Sequence, residues 1–316
     1  MHELDTYQLT VIALGAISFG IYLLIKGGDW TIDNAVVIAE KSGLSKLFIA
    51  ATIVAFGTSA PELFTSVNAN LSGYPGISVG NVIGSNIANV LMVIGISAMI
   101  APIVFSRTQV RVDALVMLGA TGAMVVAIMS GLLPRWGGFA MVAAIILYVV
   151  YQYKASKLDI DEVEEHEAGS AHPGVMVVVG IITLVVGSEL LVQGAVAGGL
   201  ALGVPEAVIG MTVIAFGTSL PELTACVAAA RKNHSDMIIG GIVGSNIFNI
   251  LSVMAFSAVA KPLVIESRFA SFDMPIVVAV TLLFAVFLLF AGRIGRVVGA
   301  LMAVSYLLFT VAQYQY

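Results

Sequence analysis

Two stretches of this sequence repeat at an offset of 160 residues. Residues 52–63 read TIVAFGTSAPEL and residues 212–223 read TVIAFGTSLPEL, identical at nine of twelve positions. At the same offset, residues 80–91 (GNVIGSNIANVL) match residues 240–251 (GGIVGSNIFNIL). The register runs backward without a gap, pairing Gly27 with Gly187, Asp29 with Glu189 and Gly43 with Gly203. A period this long, present twice, means two homologous halves, and it constrains the architecture before any single element is assigned.

Composition decides the environment in which the halves fold. The chain is 59% hydrophobic and 10% charged, with a mean hydropathy of +1.03, against roughly 45–50% apolar and about 25% charged in soluble domains. A soluble globular protein is excluded. At about 20 apolar residues per crossing, the 316 residues accommodate about ten helices with short connections. Apolar runs between breakers fall near 7–40, 46–70, 77–101, 112–132 and 136–154, and again near 174–202, 206–230, 237–260, 273–291 and 294–314. The expected domains are therefore a first five-helix repeat (1–156), an acidic hydrophilic linker (157–174, KLDIDEVEEHEAGSAHPG) and a second five-helix repeat (175–316). The fold class expected is an all-α polytopic membrane protein. The first residues, Met1-His2-Glu3-Leu4-Asp5, lack the basic segment of a cleaved signal, so the first apolar run reads as a retained helix.

An odd number of crossings per half turns the second half upside down relative to the first. Charge tests this independently. With connections assigned alternately to two sides, Lys41, Lys46, Arg107, Arg111, Lys154, Lys157, Arg231, Lys232, Arg293 and Arg296 share one side, and Arg135, Lys261 and Arg268 the other. Ten against three follows the positive-inside rule, placing the linker in the cytoplasm and both termini outside, in a plasma membrane. Inverted halves are a recurring design of secondary transporters, whose sites lie near the midplane between broken helices. With 14 Lys and Arg against 19 Asp and Glu and no basic block, nucleic acid is not an expected partner. The expected partners are cations and membrane lipid, with no obligate protein partner. The single Cys226 reads as a small packing residue.

Glu62 and Glu222 stand inside apolar runs, where an ionised side chain costs on the order of 2.5–3.5 kcal/mol or more. No basic residue lies within two helical turns of either in sequence, and the repeat brings both to the centre, so a cation or protons must supply the missing partner. Pro61 and Pro221 withdraw an N–H and crowd the preceding turn, which Gly57 and Gly217 loosen, so each helix is expected to break beside its Glu. Carbonyls freed around residues 57–59 and 217–219 then point at the cation, with the hydroxyls of Thr58, Ser59, Thr218 and Ser219 beside them. This all-oxygen inventory suits hard cations such as Ca²⁺. Ser85 and Asn89, like Ser245 and Asn249, are four residues apart on one face of the next run and are candidate ligands. Asn86 and Asn246 are weaker candidates.

Other matched acids carry less. Asp29 and Glu189 read either as solvated surface acids or as acids at a cation entrance. Asp113 and Asp273 read as acids near helix N-termini, and the acidic linker reads as a solvated connector.

The paired GTSxPE segments, each followed by GSNIxN, resemble the alpha repeats of the cation/calcium exchanger superfamily, most closely its prokaryotic sodium/calcium exchangers. The resemblance covers essentially the whole chain and implies Ca²⁺ antiport driven by Na⁺ at one central site, with no cofactor. It further implies that Glu62 and Glu222 bind both ions and that Thr58 and Thr218 give backbone carbonyls to Ca²⁺. Ser59, Ser219, Ser85 and Ser245, with the carbonyls of Ala55 and Ala215, would form flanking Na⁺ sites, and Asn89 and Asn249 would line the centre. Many members carry Asp where this chain has Asn249, which leaves two formal negative charges at the site. The alternatives within transport are Ca²⁺/H⁺ exchange or another hard divalent ion. A channel lacks support in a closed two-fold pair of sites, and an enzyme is not expected, since HExxH is absent and GTSxPE is not a GxSxG elbow.

Overall fold

The computed structural model describes residues 6–156, 172–201 and 215–313. Its helices are α1 (Thr6–Ser42), α2 (Lys46–Thr58), α3 (Ala60–Leu71), α4 (Pro75–Ile100), α5 (Arg107–Ser130), α6 (Arg135–Ala155), α7 (Pro173–Ala201), α8 (Ala215–Gly217), α9 (Leu220–Arg231), α10 (Ser235–Ala260), α11 (Phe269–Ala291) and α12 (Arg296–Gln313). Among the described residues, eight of these are each long and apolar enough to cross a membrane, and the bent pair α2 and α3 makes a ninth crossing. The run expected over 206–230 is described only from Ala215 onward, as α8 and α9. The protein is an all-α polytopic membrane protein.

Two helices begin earlier than their apolar runs suggest: α5 at Arg107 and α11 at Phe269. The first turn of α5, Arg107-Thr108-Gln109, is polar, and hydropathy assigns it to a connection although the backbone is already helical; α11 instead gains a wide π-type turn, 269–273, directly after Arg268. Pro173 opens α7, inside the stretch expected as linker, in keeping with a fixed φ suited to a first helical turn. The rest of that linker, 157–171, lies outside the described residues.

The core lies along α4 and α10, the helices that carry the two GSN segments. α10 is buried along its whole apolar length and α4 along most of its own, whereas α12 faces outward. α1 and α7 cross against each other through glycine. A Cβ on Gly20 would stand 2.7 Å from the Gly187 carbonyl oxygen, and one on Gly27 would stand 2.9 Å from that of Gly180. Small residues of this kind let membrane helices approach backbone to backbone. The offset of 160 maps Gly20 onto Gly180 and Gly27 onto Gly187, so exchanging the halves exchanges the two contacts.

Short strands behave in the same way. β1 (Ile103–Val104) pairs antiparallel with β4 (Arg293–Ile294), and β2 (Leu132–Leu133) with β3 (Leu263–Val264). The connection between α4 and α5 is thereby joined to that between α11 and α12, and the connection between α5 and α6 to that between α10 and α11.

Candidate cation-binding site

Both helix breaks expected from Pro61 and Pro221 are present. Ser59 (φ −82°, ψ 6°) interrupts the first half and Ser219 (φ −90°, ψ 5°) the second, and α3 turns by 43° from α2. Glu62 and Glu222 each fall in the first turn of the helix that restarts, α3 and α9. Unsatisfied N–H groups make that end of a helix favour a carboxylate, by up to ~2 kcal/mol when partly buried. This offsets only part of the cost of burial, because Glu62 is 1% and Glu222 3% exposed. Ion pairs among the described residues join Lys46 to Glu40 and Lys232 to Asp29 and Asp33, and neither central glutamate takes part.

The oxygens around the two acids converge from both halves. Ser59 Oγ donates to Glu222 Oε1 at 3.1 Å. A cavity of about 10 Å³, near the space one water molecule needs, is bounded by Thr58, Glu222, Gly241 and Ser245. Asn89 and Asn249 each open a wide π-type turn, 89–94 and 249–254, an interruption of the helix ladder frequent at functional sites. Several buried polar atoms here have no hydrogen-bond partner: Oε2 of Glu62 and of Glu222, Oγ of Ser219 and of Ser245, Oδ1 of Asn89, and both amide atoms of Asn249. An orphaned buried group costs about 1–3 kcal/mol, so a concentration of them around two carboxylates needs a counterpart that is cationic and bound by oxygen. Among the described residues no three His, Cys, Asp or Glu side chains group together, so two carboxylates and neutral oxygens form the donor set.

The expected ligands are placed unevenly. Thr58, Ser59, Ser85, Ser219, Ser245, Asn89 and Asn249 are all buried. Thr218 is half-buried in the turn between α8 and α9. The Ala55 carbonyl already accepts from the Ser59 N–H at 3.0 Å and from Thr58 Oγ1 at 3.3 Å. Ala215 is described as the first residue of α8. The Gly217 carbonyl, freed by Pro221, accepts from Ser188 Oγ of α7 at 2.6 Å. Ser188 escaped the sequence analysis because its counterpart is Gly28, so no repeat signal marks it. Asn81 also escaped; its Nδ2 donates to the Glu62 carbonyl at 3.2 Å and to Ser66 Oγ at 2.9 Å, tying α4 to α3.

Asp113 and Asp273 depart from expectation. Asp113 lies more than a turn inside α5, 1% exposed, and its Oδ1 accepts from Tyr148 Oη at 2.8 Å and from Gln152 Nε2. Asp273 is 4% exposed and accepts from Gln313 Nε2 at 2.6 Å. Neither is a first-turn acid, because both helices start earlier than the apolar runs. Asp29 pairs with Lys232 of the connection between α9 and α10 at 3.5 Å, whereas Glu189 accepts from Gln193 at 2.8 Å.

A multi-pass helical protein with two buried carboxylates at helix breaks, unpaired with any cationic side chain among the described residues and ringed by unpartnered oxygens, belongs to the class of membrane cation transporters. Known proteins make the class specific. The family model for the sodium/calcium exchanger protein matches residues 12–154 and again residues 172–315, and the chain belongs to that family. It is 34% identical over 95% of its length to the membrane protein MJ0091 of Methanocaldococcus jannaschii, of which it covers 97%. It is 29% identical over 92% of its length to the sodium/calcium exchanger MaX1 of Methanosarcina acetivorans, of which it covers 95%. Its fold matches a solved structure of the sodium–calcium exchanger NCX_Mj, soaked with zero Na⁺ and Ca²⁺, with a TM-score of 0.85. That match has 33% identity and covers 96% of this chain and 99% of that one. The family is one of transporters.

Proposed function

We infer that this protein is an antiporter that exchanges Ca²⁺ for Na⁺ by alternating access at the Glu62 and Glu222 site. The observation that carries this reading is the pair of buried carboxylates with orphaned oxygens around them and, among the described residues, no basic partner. Two negative charges are neutralised by one Ca²⁺ or by two monovalent cations, so the ions compete for one site, and competition produces exchange. If only a neutralised site passes between the two facing states, uncoupled leak is suppressed. Within this reading Glu62 and Glu222 bind both ions, and Thr58 and Thr218 give backbone carbonyls to Ca²⁺. Ser59, Ser219, Ser85 and Ser245 serve Na⁺ with the carbonyls of Ala55 and Ala215, and Asn89 and Asn249 line the centre. The Ala55 carbonyl joins a Na⁺ shell by exchanging the Thr58 hydroxyl for the ion.

The two halves, 1–156 and 175–316, act as inverted five-helix repeats around this site. The strand pairing supports inversion: β1 can meet β4, and β2 meet β3, only if connections from different positions in the two halves share a side. The glycine contacts of α1 and α7, interchanged by the repeat offset, support a two-fold axis between them. The protein is read as sitting in a plasma membrane, and the charge bias of its connections supports a cytoplasmic linker with both termini outside. Alternation is then the sliding of α1 and α7 against the core helices α2, α3, α4, α9 and α10. Lys232 ties α1 to that core through Asp29 and Asp33.

The test is ⁴⁵Ca²⁺ uptake into vesicles carrying the purified protein, under an outward Na⁺ gradient or an outward H⁺ gradient, with Glu62→Gln and Glu222→Gln alongside. Uptake driven by Na⁺ and lost in both variants is expected. Uptake driven only by H⁺ would instead make the protein a Ca²⁺/H⁺ antiporter, and uptake under neither gradient would overturn the ion assignment.

A further inference from the structure

The two GSN segments hold one amide contact that crosses between the halves. Asn89 Nδ2 donates to Asn246 Oδ1 at 3.1 Å, and both side chains are buried, 1% and 2% exposed. An asparagine amide has a donor end and an acceptor end. With its nitrogen held by Asn246, Asn89 has its Oδ1 left over, and that oxygen is without a partner. Turned by half a revolution, the same side chain would present N–H groups to a cation and repel it. One torsion therefore separates a ligand from an obstacle, and the contact to Asn246 sets it.

The repeat offset carries Asn89 onto Asn249 and Asn246 onto Asn86, so the counterpart contact would run from Asn249 Nδ2 to Asn86 Oδ1. Both of those atoms are buried and without a partner in the structure. Asn86 is held ready by its other end, since its Nδ2 donates to the Val82 carbonyl at 2.9 Å. The elements are adjacent as well: α4 packs against the turn 249–254, as α10 packs against the turn 89–94. One of two symmetry-related contacts is thus made, and the atoms of its mate are left open.

We propose that Asn246 and Asn86 are positioning residues for the exchange reaction, each holding the amide nitrogen of the ion-lining asparagine of the opposite half so that its carbonyl oxygen faces the cation. The contact between Asn249 and Asn86 closes when a bound cation draws Asn249 Oδ1 toward itself. Neither Asn246 nor Asn86 touches the ion. The proposal rests on the reading of Glu62 and Glu222 as a Ca²⁺ site that Asn89 and Asn249 complete.

The test measures KM for Ca²⁺ and the maximal rate of Na⁺-driven ⁴⁵Ca²⁺ uptake by the reconstituted full chain. The variants are Asn246→Leu, Asn86→Leu, Asn89→Ala, Asn249→Ala and the doubles Asn246→Leu/Asn89→Ala and Asn86→Leu/Asn249→Ala. Asn246→Leu is expected to raise KM about tenfold, near the upper end for the loss of one hydrogen bond between neutral groups, with the maximal rate little changed. It is expected to add nothing once Asn89 is alanine, as a residue acting through its neighbour must. The second pair is expected to repeat the pattern. Additive effects in the doubles, or a fall in maximal rate with KM unchanged, would overturn the positioning role while leaving the site intact. An unchanged KM in both Asn89→Ala and Asn249→Ala would overturn the site reading and the proposal together. Asn86 makes no hydrogen bond across the halves in this structure, so Asn86→Leu keeps the test decisive if Asn246→Leu fails to fold.

Discussion

Pro61 and Pro221 each remove one N–H from a helix ladder, and the two halves answer that loss differently. In the second half the freed Gly217 carbonyl is capped by Ser188 Oγ at 2.6 Å; in the first half the position equivalent to Ser188 is Gly28, which has no hydroxyl to offer. Ser188→Ala would leave a carbonyl unpartnered next to the break. Its expected effect is a loss of about 1–3 kcal/mol of stability, read as a lower melting temperature of the purified protein. An unchanged melting temperature would show that water satisfies the Gly217 carbonyl instead. Nothing about Ser188 in the sequence announces this role: it sits in an apolar run, 29 residues from its acceptor, and the repeat, which marks the other site residues, is silent there.

At the level of elements, α10 owes its position to two glycines. A Cβ on Gly240 would stand 2.5 Å from the Leu47 carbonyl oxygen, and one on Gly244 would stand 2.4 Å from that of Ala51, so α10 lies directly on the backbone of α2. Gly241, on a different face, has open space around its would-be Cβ and borders the small cavity beside Glu222. The two sites should therefore separate packing from binding. Gly244→Ala forces α10 off α2 and is expected to cost about 1–3 kcal/mol through overpacking, lowering the melting temperature. Gly241→Ala is expected to keep the melting temperature and raise the KM for Ca²⁺, because the added methyl enters the cavity. The same response from both variants would mean that the cavity beside Glu222 does not take part in binding. The glycine repeat was visible in the sequence; which glycine touches a neighbouring backbone and which faces a cavity follows from how α10 is rotated against α2.

For the molecule as a whole, the strand pairs give an orientation test. Val104 of β1 and Val264 of β3 are both exposed, 58% and 55%, while the native Cys226 is buried and contributes no background. A membrane-impermeant maleimide applied to right-side-out vesicles is expected to label Val264→Cys at once and Val104→Cys only after permeabilisation; labelling of both from one side would refute the inverted arrangement. Much of this whole was legible beforehand. The period of 160 residues, the apolar runs, the two glutamates and the prolines beside them are local or periodic features, and each dictates its consequence through chain geometry or the cost of charge in lipid, so the sequence alone determined the helical membrane fold, the helix breaks and the identity of the central acids. Hydropathy misplaced the start of α5, because a polar turn can be helical without being apolar, and the start of α11, where a π-type turn precedes Asp273, and with them the surroundings of Asp113 and Asp273. Partnership was decided only by the tertiary structure. Ser59 meets Glu222 from 163 residues away, and Asn89 meets Asn246 from 157. Such contacts depend on the angle and register at which two halves pack, a property of the assembled core that no local pattern encodes.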